Sequence, residues 1–194
     1  MCCAERKVKD MSKPILMQFP LKGEWYSPNT PGSKIPSHGT NRYGTRYAYD
    51  FIQVDWTRKG WPAYRVSMMQ YLIKGAALED YYCWGERVYA PCDGMVVVAE
   101  DGYAEKKTNL LTDVFKAYKN ANYFDPYKDN IQCIAGNYMI IQYAKNVYAA
   151  LCHLQKRFCS GHCWTVCKGR GLCGKCGTLW KFICPTFTFS AYGQ

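Results

Sequence analysis

From Arg157 to Gln194 the chain changes character, and that change limits which residues can build its core. The stretch holds Cys159, Cys163, Cys167, Cys173, Cys176 and Cys184, which is 6 of the 12 cysteines, with 5 Lys/Arg and no Asp or Glu. It shows neither the two-residue alternation of a half-buried strand nor the period of an amphipathic helix. As translated it is expected to pack poorly. The fold is therefore expected to come from the residues before it, with the last strands lost and a sheet edge left unpaired.

Those earlier residues read as short antiparallel strands. Tyr47 to Val54 alternates in part and is rich in aromatics, which predicts a strand. Val88 to Ala90 and Met95 to Ala99 are two strands around Pro91-Cys92-Asp93-Gly94, whose Asp-Gly pair is a strong turn signal. Asn137 to Tyr143 and Val147 to Leu154 have hairpin spacing across Ala144-Lys145-Asn146. Met68 to Ile73 reads equally as strand or helix. Glu105 to Asn130 is polar and charged, a surface insertion with a short helix expected around Asp113 to Lys119. There is no βαβ alternation and no internal repeat, so the expected class is all-β.

A chain of 194 residues is one domain, or one with a sizeable insertion. Three regions are expected: an irregular Pro/Gly/Ser-rich segment over 1–35, a β domain over 36–156, and the Cys-rich tail over 157–194. The net charge is +10, of which the tail supplies 5 and residues 1–156 the other 5. No run of five or more like charges occurs, so a solvated mixed surface is expected. No nucleic-acid motif appears, and no nucleic-acid partner is expected. No stretch of about 18 apolar residues occurs, so no membrane span is expected. Met1 to Lys13 is polar and lacks the apolar core of a signal peptide. Two alternatives follow: a cytoplasmic protein, or an incomplete N-terminus. Cys2, Cys3, Cys83, Cys92, Cys133 and Cys152 form no C-x-x-C pair and read as free thiols or small core residues.

The tail becomes intelligible when its codons are read one base later. Pro185 to Ala191 can then spell P-H-L-H-F-Q, and Leu179 to Cys184 can spell S-G-N-S-S-V. Cys163 to Cys176 can spell V-G-Q-S-V-K-A-G-D-F-V-G-N. Valine codons displaced by one base yield Cys and Trp, which accounts for the odd composition. A frameshift near Gln155-Lys156-Arg157 is the reading taken here.

The in-frame part resembles the LytM/lysostaphin-type zinc metallopeptidases, the bacterial cell-wall endopeptidases. Four segments carry the resemblance, in the family's order. They are Pro36-Ser37-His38-Gly39-Thr40 with Tyr47-Ala48-Tyr49-Asp50-Phe51; Val88 to Val97, like V-x-A-P-x-D-G-x-V-V; Ala135 to Gln142, like G-N-Y-V-I-I; and Tyr148 to Leu154, like Y-x-x-x-x-H-L. With the shifted tail it covers most of residues 20 to 194. The resemblance implies a two-layer antiparallel β-sandwich around a groove, with an irregular insertion at about 103–132 and a disrupted C-terminal end. It also implies a zinc cofactor and hydrolysis of peptide bonds in peptidoglycan, or in a peptide substrate, by a metal-activated water. Members of this family typically act outside the cytoplasm.

Residue by residue, His38 and Asp50 match the family's first two metal ligands, and His153 matches its catalytic histidine. A departure is plain: the family's usual spacing is H-x-x-x-D, whereas 11 residues separate His38 from Asp50. The third ligand is the second His of H-x-H, which exists only in the shifted frame. A catalytic zinc takes three protein ligands and a water, so the chain as translated is expected to be inactive or nearly so.

Bland readings stand beside these. Alone, His38 in a Ser/Gly-rich loop is a turn histidine, Asp50 is a carboxylate paired with Arg42 or Arg46, and His153 is a satisfied core histidine. Two competing functions also remain: a non-catalytic binding or regulatory relative, and a structural zinc site built on Cys173-Gly174-Lys175-Cys176 with the other tail cysteines and His162.

Overall fold

A computed structural model describes residues 16–125, 127–157, 166–167 and 170–183. Seven strands form one antiparallel sheet: β1 Ala48–Phe51, β2 Arg87–Tyr89, β3 Gly94–Glu100, β4 Asn137–Ala144, β5 Val147–Leu154, β6 Val166–Cys167 and β7 Leu172–Ile183. Their order is β1-β7-β5-β4-β3-β6, with β2 also paired to β7. Three helices accompany them: α1 Met68–Ile73, α2 Leu110–Tyr123 and α3 Gln132–Ala135.

The expected all-β, two-layer sandwich is therefore corrected: the chain is a mixed α and β structure around a single open sheet. The reason lies in the strand partners. Val88 and Met95 flank a turn as read from Asp93-Gly94, yet β2 and β3 do not pair with one another. β2 goes to β7, while β3 goes to β4 and β6. Strands that would have made a second layer are recruited to the one sheet.

The tail is the second correction. Leu172 to Ile183 is not unstructured packing waste but the longest strand, and it lies inside the sheet. Its C-terminal half pairs Asp50 with Lys181 on one side and Cys152 with Lys181 on the other. Its N-terminal half pairs Val88 with Gly174. Backbone pairing does not need side-chain alternation, because every residue but proline carries one donor and one acceptor.

The other predicted elements fall close to their sequence signals. β4 and β5 form the expected hairpin, with Asn146 in the left-handed region (φ 60) at the turn. Met68 to Ile73 is a helix, started by Ser67, whose side chain accepts the Gln70 N–H, and ended by Gly75 (φ 74). The insertion carries a longer helix than predicted. Asn109 caps α2 by accepting the Leu111 N–H at 3.1 Å, and Asp113 accepts the Asn109 N–H at 3.0 Å. No helix of the described residues is long and apolar enough to cross a membrane.

Both faces of the sheet are apolar, and bulges decide which side chain goes where. The larger core holds Val96, Met139, Ile141, Ala149, Leu151 and Leu154. A smaller cluster on the opposite face holds Ala48, Tyr138 and Cys152, with Val98, Ile140 and Ala150 against it. Alternation puts Leu151 and Cys152 on opposite faces. Leu154 should then follow Cys152, yet it joins the larger core. The register shifts between Cys152 and Leu154, and His153 between them has φ 58. A left-handed residue at a bulge re-aims the strand that follows it. The register shift between Val96 and Val98 does the same in β3.

Candidate functional site

β1 is too short to hold a site alone, and the loops around it supply the rest. Asp50 lies on the small-cluster face, in one row with Lys181 and Cys152 across the sheet. Its carboxylate is met by His38, with Nε2 3.0 Å from Asp50 Oδ2. Both side chains are nearly closed off from solvent, at 13% and 8% exposure. The 11-residue gap between them is spanned by a loop that folds back on itself. The Ser37 N–H donates to Arg46 O at 3.0 Å, and a 3₁₀ turn runs over Arg42–Tyr47. Gly39, at φ 71, occupies a conformation that a side chain rarely takes.

Each partner of the pair has a further hydrogen bond of its own. Ser37, fully buried, places Oγ 2.9 Å from His38 Nδ1 and donates from that same Oγ to Thr45 O at 3.0 Å. With its one proton directed at Thr45, Ser37 Oγ accepts from Nδ1–H. Asn29 Nδ2 donates to Asp50 Oδ2 at 2.7 Å, and the Asp50 N–H donates to Asn29 O at 3.0 Å. Arg46 instead donates to Asn41 Oδ1, and its reading as the partner of Asp50 is replaced by the histidine.

This arrangement suits a cation between Nε2 and Oδ2, either a proton or a metal ion. A ligand nitrogen and oxygen on a tetrahedral zinc stand about 3.3 Å apart, given bond lengths of about 2.0–2.1 Å, close to the 3.0 Å seen. His38 has the far-side hydrogen bond that a ligating imidazole ordinarily has, whereas Asn29 donates to the same Oδ2 that faces Nε2. The fit stops at two donors. Among the described residues no group of three or more His, Cys, Asp or Glu converges to hold a metal. The expected third ligand, in the shifted reading of Pro185 to Ala191, lies outside the described residues.

His153 does not complete that cluster. It sits at the end of β5, with β7 between β5 and β1. It packs over Gly136, where a Cβ would stand 3.3 Å from its Nδ1, and its carbonyl approaches Gly177. Glu105 comes to the same place: a Cβ on Gly177 would stand 2.7 Å from its Oε1, and its Oε2 accepts the Lys156 N–H at 3.1 Å. Burial pushes the Glu105 carboxyl above its usual range, against the pull of the Lys156 N–H and with the charge of Asp101 adding to the push. On the sheet face shared with Asp50, burial and then Glu100 push the Tyr138 phenol up to about 12.

Two tail cysteines, Cys173 and Cys176, are core groups. Both are buried in the larger cluster, and the Cys176 thiol meets that of Cys83, burial pushing Cys176 well up. Among the described residues no group of three or more His, Cys, Asp or Glu gathers around them. Cys173 and Cys176 in β7 lack the loop geometry with which a C-x-x-C knuckle closes on one ion. Cys159, His162, Cys163 and Cys184 lie outside the described residues.

Sequence reasoning missed Asn29, Thr45 and Glu105. Asn29 falls in the segment read as irregular, and only a strand partner reveals its use: Tyr26 bridges Ile52 two residues beyond Asp50. Comparison with family models and with curated proteins finds no match to this chain.

Proposed function

We propose that this chain is a LytM/lysostaphin-type zinc metallopeptidase-like protein whose metal site is reduced to two ligands, His38 and Asp50. The observation that carries the reading is the buried His38–Asp50 pair at 3.0 Å, backed by Ser37 and Asn29. It is supported by the four sequence segments in family order and by the shifted reading of the tail. A bound zinc would polarise a peptide carbonyl and acidify a water. What this chain supplies toward that chemistry is orientation: Ser37 fixes the imidazole and Asn29 the carboxylate, so that Nε2 and Oδ2 face one another.

Two protein ligands hold zinc far more weakly than three or four. The proposed chain therefore binds zinc weakly and does not hydrolyse peptidoglycan. Zinc titration of the full chain is the test, with cell-wall hydrolysis read alongside. Weak binding lost in both His38→Ala and Asp50→Ala, with no hydrolysis, is expected. Removing one base near the codons for Gln155 to Arg157 is expected to restore tight zinc and peptidase activity. Stoichiometric zinc that survives His38→Ala and disappears in a Cys173→Ser, Cys176→Ser variant would overturn the reading. A non-catalytic binding relative is the second reading, favoured by the lack of a third donor among the described residues.

A further inference from the structure

Helix α2 is mounted with its apolar side outward. Around its axis Leu111, Val114, Phe115 and Tyr118 fall on one arc, at the i, i+3, i+4, i+7 spacing that normally faces a core. Here they are 66%, 60%, 67% and 61% exposed. The half-buried positions are instead Leu110, Asp113 and Asn120. Asp113 is spent on the helix start, and Asn120 Nδ2 reaches Cys133 O at 3.5 Å. The C-terminal end of α1 meets the start of α2, where Asn109 Nδ2 donates to Leu72 O at 3.2 Å. Met69 and Ile73 of α1 are exposed as well.

The charges beside this surface are mostly basic, and the one acid is paired with Lys116 at 3.6 Å. Across residues 67–75 and 106–123 there are five lysines (Lys74, Lys106, Lys107, Lys116 and Lys119) and one acid, Asp113. All five lysines are exposed. Glu105, next in the chain, is turned inward onto the Lys156 N–H. Lys119 lies on the arc flanking the apolar one, where a long stem extends along an apolar layer while the ammonium stays in water. An amphipathic helix with a basic polar arc and Leu, Phe and Val opposite it is the chemistry of a helix lying in a lipid interface.

We infer that α2, together with α1, seats this protein on the surface of an anionic lipid bilayer, with Leu111, Val114, Phe115 and Tyr118 in the acyl boundary and the lysines at the headgroups. The helix lies flat and does not cross. The occupant is lipid because the charge asymmetry matches a uniformly anionic surface.

The test is flotation of the full chain with vesicles of phosphatidylcholine alone, and of phosphatidylcholine with about one third phosphatidylglycerol. Binding to the anionic vesicles only is expected, weakening with salt. Charge reversal at Lys116→Glu or Lys119→Glu should weaken it by roughly fivefold or more per site. Phe115→Asp should abolish it, and an unchanged circular dichroism spectrum will show that the exposed substitution leaves the fold intact. Failure to float with anionic vesicles overturns the inference, as does binding that Phe115→Asp leaves untouched. So does a concentration-dependent dimer, seen by sedimentation without lipid, that Phe115→Asp dissociates.

Discussion

Truncation after Arg157 distinguishes a tail that is integral to the sheet from one that is merely appended. Among the described residues β1 has its register partners in β7 alone, and so has β2. Four paired positions with β1, three with β2 and four with β5 make eleven in all. An antiparallel ladder averages one hydrogen bond per paired position, and each contributes about 1 kcal/mol net. Losing β7 thus removes about 10 kcal/mol, before the burial of Cys173 and Cys176 is considered. Domains of this size have about 5–15 kcal/mol in total. A chain of residues 1–157 is therefore expected to lose its cooperative thermal transition and to bind a hydrophobic dye. Amide exchange localises the effect: Ala48–Phe51 should be protected in the full chain and unprotected in the truncated one. Equal protection of Ala48–Phe51 and an equal melting transition in both chains would refute β7 as a central strand.

Two further expectations concern the rim of the sheet. Asn137, 1% exposed, accepts the Tyr103 N–H at 2.8 Å and donates to Leu154 O and Tyr103 O at 3.0 and 3.2 Å. Asn137→Ala strands those backbone groups and should cost about 2–4 kcal/mol in chemical denaturation, with amide exchange rising first around Tyr103. Glu105 has a folded-state pKa raised by burial. Its folded form holds the proton more tightly than the unfolded one, so stability is full below the ordinary glutamate value and declines as pH rises through the raised one. Glu105→Gln keeps an acceptor for the Lys156 N–H and should remove that decline, read as denaturation midpoints at pH 4 and pH 7; a parallel pH dependence in both proteins would contradict it.

The hairpin of β4 and β5 was legible because its apolar residues and its turn are local. So was the strand Met95 to Ala99. The site was legible in part. His38 and Asp50 stand out only through the segments around them, and the pairing that joins them spans 11 residues of loop that no periodicity describes. Asn29 gave no signal, since an Asn in a Pro/Gly/Ser-rich segment ordinarily serves a turn. His153 was read for its imidazole, whereas its backbone, at φ 58, is what switches Leu154 to the larger core.

What the sequence determined by itself was local: where most strands and turns occur, and that residues 157–194 have a composition unlike the rest. Which strand lies beside which was decided only by the tertiary structure. β7 pairs through backbone groups that every residue carries, so a Cys-rich segment without alternation enters the sheet as readily as a patterned one. The same holds for α2. Its sequence specifies an amphipathic helix, but only the packing of Asp113 and Asn120 toward the body turns the apolar arc to the outside.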